Sequence, residues 1–207
     1  MINDLRKYFN TYKCTGIKIN DFSGYIVNSP SAKLRFCEAV NYSFNVPLLM
    51  NEQNMGCRGA ERNLGFRKNN DEDLGLHIFE NTGISIELVR KMLADTSVIK
   101  YRITNLALGI TEEMEKTYKP EFFIVYTTPL RSMQFIHHLA IILGVRPFIA
   151  SYSLLSICGN VFARGYNTGN VCISFGCPES RKFGGLDMDE VIIGIPGEMA
   201  TRLIEKT

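Results

Sequence analysis

The sequence predicts an α+β fold in which helices pack on a mixed β-sheet. Apolar runs of strand length and amphipathic segments of helical period both occur along the chain, without the strict alternation of a doubly wound sheet. No low-complexity linker interrupts the 207 residues, which favours a single domain over 1–207. A chain of this length buries roughly 70% of its unfolded surface. Its core therefore needs neither a disulfide nor a metal.

The first half of the chain begins with a helical pattern and then a strand pattern. Residues 2–12 place apolar side chains on one helical face, and residues 16–21 alternate between apolar and polar. The other elements predicted in this half are a helix capped by Ser31 and running to Val40, a strand over 47–50, a turn or short helix over 56–62, a charged loop over 67–73, a helix over 84–94 and a strand over 98–110.

The second half contains a continuously apolar strand over 122–126, a pattern typical of strands that are covered on both faces. Thr128-Pro129 then begins a helix that ends at Gly144. The further predicted elements are strands over 147–151, 171–175 and 190–195, a short helix over 156–162, a turn over 166–170 and a last helix over 196–206. The sheet should include 122–126, 171–175 and 191–195, with the helix over 130–143 packed on it.

Composition and charge exclude several classes of protein. The 23 basic and 21 acidic residues leave a net charge of +2, without the basic excess of a nucleic-acid-binding protein. No apolar run reaches the about 18 residues that a membrane-spanning helix needs, and the N-terminus lacks the apolar segment of a signal peptide. We expect a cytoplasmic protein without nucleic-acid or membrane partners. A small molecule and further copies of this chain are the partners that remain open.

Six cysteines in a chain without a secretion signal are expected to be free thiols or metal ligands. Cys172 lies in an apolar strand-like run and Cys14 has no distinctive neighbours, so both should pack as small hydrophobic residues. The other four stand beside glycine, arginine or predicted helix starts, and they are Cys37, Cys57, Cys158 and Cys177. We take these four as candidate metal ligands that should converge on one site.

The four candidate cysteines form two pairs, with spacings of 20 and 19 residues. The second cysteine of each pair follows a glycine and precedes an arginine, Arg62 or Arg181, by at most five residues. The first cysteine of each pair falls in a predicted short helix. This similarity is compatible with two duplicated halves, about 16–110 and 120–207, related by a pseudo-twofold axis.

The residues around these cysteines suit a metal site. A glycine before Cys57 and Cys177 lets backbone N–H groups approach bound sulfur. Arg62 and Arg181 would contact the cofactor, lower the thiol pKa values and offset thiolate charge. No two of the cysteines are spaced to chelate as in a zinc ribbon. An iron–sulfur cluster, of the 4Fe–4S kind, is therefore the first expectation, and zinc is the alternative.

Four stretches of the sequence are distinctive as a set: LRFCEAV at 34–40, CRGA and LGF within 57–66, GCPESRK at 176–182 and EVIIGIP at 190–196. Together they resemble the domain-of-unknown-function family 169, the ArCR type, found in archaea and many anaerobic bacteria. The resemblance covers the chain from about Leu34 to the C-terminus. It implies the same four candidate cysteines and no particular activity.

Three functions fit these residues. We favour a cluster ligated by three or four cysteines with a redox or sulfur-handling role on a small molecule; with three ligands, an open iron could act as a Lewis acid. The second is a metal-free small-molecule-binding module with buried structural cysteines. The third is an enzyme that uses the thiolate of Cys177 beside Arg181. The sequence leaves open whether the protein is an enzyme.

Overall fold

Seven strands form one mixed sheet in the computed structural model of this chain, which describes residues 1–20, 28–66, 71–109, 111–150 and 154–206. The strands are β1 (Cys14–Ile19), β2 (Leu48–Asn51), β3 (Asn105–Leu108), β4 (Phe122–Thr127), β5 (Phe148–Ala150), β6 (Cys172–Ser174) and β7 (Val191–Pro196). Their order is β2-β3-β1-β4-β7-β6-β5, and neighbours are antiparallel except β5 and β6. The predicted α+β class is confirmed.

Helices cover both faces of this sheet. They are α1 (Ile2–Phe9), α2 (Phe36–Ser43), α3 (Arg58–Asn63), α4 (Asp71–Thr82), α5 (Ile86–Asp95), α6 (Glu112–Glu115), α7 (Pro129–His138), a π-helix over Leu139–Leu143, a second π-helix over Ser156–Ala163, α8 (Arg164–Thr168), α9 (Pro178–Lys182) and α10 (Gly197–Ile204). Because side chains alternate along a strand, Ile124 faces the core beneath α2 and the second π-helix, and Val125 faces the core beneath α1, α7 and α10.

The strands predicted for the centre of the sheet are confirmed. Segments 122–126 and 191–195 lie within β4 and β7, and the 171–175 segment contains β6. The helix predicted over 130–143 packs on the sheet through Phe135 and Leu139. It also continues from α7 into a π-helix before ending at Gly144, whose φ of 64° is left-handed.

Residues 71–73, predicted as part of a charged loop, are instead the first turn of α4, and 67–70 lie outside the described residues. Three carboxylates in that first turn favour the helix because they face its positive end. Leu74 and Ile78 then bury one face of α4. The charge run that resembled a solvated loop is therefore a helix start.

Three other boundaries differ from the sequence prediction. Of the described residues 98–109 in the strand predicted over 98–110, Asn105–Leu108 join the sheet. The N–H of Ile99 donates instead to the carbonyl of Asn63 at 2.9 Å. The turn predicted over 166–170 is largely α8, which continues the second π-helix. The helix predicted from Ser31 begins at Phe36. Three predicted strands extend to residues outside the described ones, namely Asp21, Ile110 and Ser151.

Six of the seven described strands, all but β5, are ordered symmetrically about the β1–β4 pair. Outward from β1 come β3 and β2, and outward from β4 come β7 and β6, with antiparallel pairing throughout these six strands. Cys37 precedes β2 and Cys57 follows it, just as Cys158 precedes β6 and Cys177 follows it. This topology is compatible with duplicated halves, which stay a prediction. No described helix is both long enough and apolar enough to cross a membrane.

Candidate functional site

A cavity of about 650 Å³ lies among α2, α3, α4, α9 and the second π-helix. Its lining includes the four candidate cysteines and neither Cys14 nor Cys172. Each cysteine comes from a different element: Cys37 from α2, Cys57 from the residue before α3, Cys158 from the second π-helix and Cys177 from the residue before α9. The fold thus brings together residues that are far apart in the chain.

Cys57 and Cys177 hold the same local position, the extended residue that caps the start of a short helix. Their φ and ψ are −138° and 114° for Cys57, and −122° and 168° for Cys177. The hydroxyl of Ser180 accepts a hydrogen bond from the N–H of Cys177 at 2.7 Å. Gly176 makes the turn before it with a φ of 88°, where a Cβ would lie 2.5 Å from Leu186. Local backbone geometry therefore fixes the backbone position of Cys177.

Cys158 is carried by a π-helix, a form that occurs mostly as short segments and often at functional sites. The residue before this helix, Leu155, is left-handed at φ 49° and ψ 43°, which costs a leucine roughly 1–2 kcal/mol. The side-chain amide of Asn160 donates to the carbonyl of Leu154 at 2.8 Å and holds this entry to the helix. The backbone is thus strained beside the cavity.

Burial controls the ionisation of the cysteine thiols. Burial, together with smaller contributions from charges at Cys57 and Cys177, raises the pKa of Cys37 to about 12. Burial also raises the pKa of Cys158 well above its ordinary value. The pKa of Cys57 is raised by burial and partly lowered by the N–H groups of Gly59 and Ala60. Without a metal, these three thiols are protonated at neutral pH.

Two cations line the cavity close to the cysteines, Arg35 and Arg58. The guanidinium of Arg35 stacks on the ring of Phe183, 4.3 Å from its centroid, and its charge lowers the pKa of Cys57. Arg35 is not among the site residues predicted from the sequence, although it precedes Phe36-Cys37 directly. Glu179 is the acidic residue of this lining, and its carbonyl lies 3.7 Å from the sulfur of Cys37.

Arg62 and Arg181, which the sequence predicts to contact a cofactor, are not among the described lining residues of the cavity, and that contact stays a prediction. Arg62 is buried and binds the carboxylate of Asp71 through Nε and Nη2, at 2.6 and 2.8 Å. Arg181 donates to the carbonyls of Asp187 and Phe175, at 2.6 and 2.8 Å. Each guanidinium thus donates to acceptors outside the cavity and stabilises the chain segments around it.

Two buried hydroxyls near the cysteines have no hydrogen-bond partner among the described residues. Ser156 lines the cavity and is fully buried. Tyr126 is fully buried on β4, and burial raises its pKa well above the ordinary value, with charges at Cys37 and Cys177 adding to the effect. Sequence patterns contain no signal for such unpaired groups, because each depends on which elements pack together.

Helix α4 contributes a part of the cavity wall that carries none of the cysteines. His77 and Asn81 lie one turn apart on this wall, and the Asn81 amide donates to the carbonyl of His77 at 2.7 Å. Their spacing of four residues would have identified a helical face had 71–82 been predicted as a helix.

Among the described residues, no three His, Cys, Asp or Glu side chains are grouped so that they could hold one metal ion. The four cysteines therefore share a cavity without meeting the requirements of a mononuclear site. A larger cluster has a different geometric requirement, because its cysteine ligands bind several metal atoms rather than one.

A family profile described as uncharacterised ArCR, DUF169, matches residues 14–206. The chain belongs to this family. The match includes all four candidate cysteines and confirms the resemblance seen in the sequence motifs. Searches of the curated proteins and of the solved structures found no significant match. The function of this ArCR protein must therefore be argued from its cavity.

Proposed function

We propose that this ArCR protein holds an iron–sulfur cluster through Cys37, Cys57, Cys158 and Cys177 and has a redox or sulfur-handling role on a small molecule. The observation that supports the proposal is the shared cavity, which these four cysteines line and the other two cysteines do not. The four cysteines come from four separate elements, and each lies at the start of a helix or within one. Packing as small hydrophobic side chains would not explain why these four cysteines line the cavity and the other two do not.

We favour a cluster over a single zinc ion. Zinc–sulfur bonds of about 2.3 Å require ligand sulfurs within about 4 Å of one another, and no such group occurs among the described residues. A small cluster allows its cysteine sulfurs to lie about 6–7 Å apart. Zinc, the alternative metal, would require the four thiols to move closer together.

The chain also supplies groups that would compensate thiolate charge. The amide of Asn63 donates towards the sulfur of Cys158 at 3.5 Å, and N–H groups of Gly59 and Ala60 donate to Cys57. Arg35 and Arg58 add positive charge at the same end of the cavity. When bound, a cluster would supply one-electron transfer or, with three cysteine ligands, a Lewis-acidic iron.

Iron, acid-labile sulfide and zinc measured on protein purified without oxygen will test the proposal. We expect iron and sulfide in the wild type, and their loss in Cys57→Ser and Cys177→Ser. Cys172→Ser and Cys14→Ser are the matched controls, since both thiols are buried outside the cavity. Equal iron loss in the controls would contradict the ligand assignment.

The same measurements separate the alternatives. Zinc without sulfide would favour a zinc site, and anaerobic protein without any metal would favour either a metal-free binding module or an enzyme using Cys177. Thiol-labelling rates then distinguish these two, because a nucleophilic Cys177 should react much faster than the buried Cys172. Cys37→Ser and Cys158→Ser distinguish three ligands from four, since a cluster with three ligands survives loss of the fourth cysteine.

A further inference from the structure

We infer that the part of the cavity facing α4 binds a small, uncharged, mainly hydrocarbon molecule with one polar atom that hydrogen-bonds to Ser156. The assignment of this molecule as the substrate rests on the proposed function, whereas its chemical class follows from the lining alone. The cavity volume of about 650 Å³ lies within the range of small-molecule sites.

The buried part of the wall that α4 helps to form is apolar and already packed, whereas the lining residues His77, Asn81 and Thr82 are exposed. Leu74, Ile78 and Leu154 belong to a buried cluster that also includes residues of α5, and Ile84 and Leu155 pack against it. All five side chains line the cavity. Packing within the cluster holds these side chains in place. A hydrocarbon group of the ligand can therefore bury their apolar surface without rearranging the wall.

This end of the cavity carries no permanent charge among its described residues. The lining residues contributed by α4 and by 154–157 include no Lys, Arg, Asp or Glu, and the lining cations Arg35 and Arg58 adjoin the cysteines in sequence. A charged group placed against α4 would lose its hydration without gaining a partner of opposite charge. The lining therefore selects against carboxylates and amines.

Ser156 supplies one specific polar contact. Ser156 is a lining residue of the cavity, and its buried hydroxyl lacks a hydrogen-bond partner among the described residues. Buried hydroxyls are nearly always paired, so an unpaired one in a residue that lines a cavity indicates a ligand atom. Ser156 stands two residues before Cys158. The polar atom of the ligand would thus face the cysteines, and its hydrocarbon part would face α4.

Ligand-detected NMR titrations with three compounds of similar size will test this inference: cyclohexanone, cyclohexanecarboxylate and cyclohexylammonium. We expect cyclohexanone to bind at least about tenfold more tightly than either charged compound. Ser156→Ala should weaken cyclohexanone binding about tenfold. Ser132→Ala should leave it unchanged, because Ser132 is a buried serine of α7, outside the cavity lining. Circular dichroism of both variants would verify that they fold.

The titrations are run on protein whose iron and sulfide content has been measured, so that the two proposals fail separately. Iron-containing protein that prefers the carboxylate, binds all three compounds equally or binds none would overturn the ligand class and leave the cluster in place. Protein that never contains iron but binds cyclohexanone through Ser156 would overturn the cluster and support the ligand class.

Discussion

The side-chain nitrogen Nδ2 of Asn63 lies 3.5 Å from the sulfur of Cys158, although 95 residues separate them. The neighbouring Gly159 makes this approach possible. A Cβ at that position would lie 2.2 Å from Cγ2 of Thr96 and 2.5 Å from Nδ2 of Asn63. The second π-helix can therefore pack against α3 only because residue 159 has no side chain.

Gly159→Ala should destabilise the protein, since the added methyl group overlaps both neighbours. We expect the free energy of unfolding to fall by about 1–3 kcal/mol, as in other overpacked cores. Gly75→Ala is the matched control. Gly75 lies within α4, and a Cβ there would meet Ile86 of α5 at an ordinary contact distance of 3.5 Å. It should be neutral or raise stability by up to about 1 kcal/mol. Urea denaturation compares the two variants, and equal effects would contradict the close-approach argument.

Cys172→Ser should show a cost that depends on pH. At neutral pH we expect a loss of about 1–2 kcal/mol, because serine buries a more polar group on β6. Burial raises the pKa of the Cys172 thiol to about 12, above the about 8.5 of an unfolded chain. The thiol's contribution is therefore complete below about pH 8.5 and is lost as pH rises towards the folded value.

The difference in unfolding free energy between wild type and Cys172→Ser should consequently shrink as the pH rises above about 8.5, by at most about 1.4 kcal/mol per pH unit. Urea unfolding of metal-free protein at a series of pH values measures this difference. Ser132→Ala serves as a control without a titrating group, and its cost should be constant. A Cys172→Ser difference that is equally constant would contradict the prediction.

Arg62→Met should lower the free energy of unfolding by about 3 kcal/mol, because it removes the hydrogen bonds of the guanidinium to Asp71 of α4 and to the carbonyl of Leu93. Asp71→Asn should cost at most about 1 kcal/mol, since the side chain of Asp71 is 56% exposed. The hydrogen bond from Arg62 lowers the pKa of Asp71. That stabilisation is present above about pH 4 and is lost as pH falls.

Chemical denaturation of the wild type and Asp71→Asn at neutral and acidic pH checks both statements. The stabilities of the two proteins should converge as the pH falls through the lowered pKa of Asp71. A larger loss in Asp71→Asn than in Arg62→Met would show that the carboxylate, and not the buried guanidinium, dominates this contact.

Arg181→Met should loosen the segment that carries Cys177. Arg181 donates to the carbonyls of Phe175 and Asp187 on either side of that cysteine, and losing these bonds should cost about 1–2 kcal/mol. Cys177 should also react faster with iodoacetamide, as peptide mapping would report. Lys182→Met is the control, because Lys182 is exposed and contacts only the ring of Phe183 among the contacts described, at 5.1 Å. Unchanged labelling of Cys177 in Arg181→Met would contradict the positioning role.

Sequence patterns predicted much of the fold and the selection of cysteines. The apolar run at 122–126 predicted a strand that is covered on both faces, and Thr128-Pro129 predicted the start of α7. Local context also separated Cys172 from the cysteines that line the cavity. These predictions succeeded because each depends on residues within a turn or two of the chain.

The roles of Arg62 and Arg181 could not be predicted in this way. A guanidinium binds the nearest acceptors in three dimensions, and for Arg62 these include Asp71 on the next helix. Proximity to a cysteine in sequence carries no information about that competition. The helix over 71–82 was also missed, because its acidic first turn resembles a solvated loop until Leu74 and Ile78 are seen to be buried.

The sequence by itself determined the α+β class, the central strands and the four cysteines that belong together, because hydrophobic period and local motifs encode these features. Only the tertiary structure decided that α4 supplies an uncharged wall, that Ser156 is left without a partner and that Gly159 lets Asn63 reach Cys158. Each of these depends on contacts between elements distant in sequence, which are fixed by packing of the whole chain.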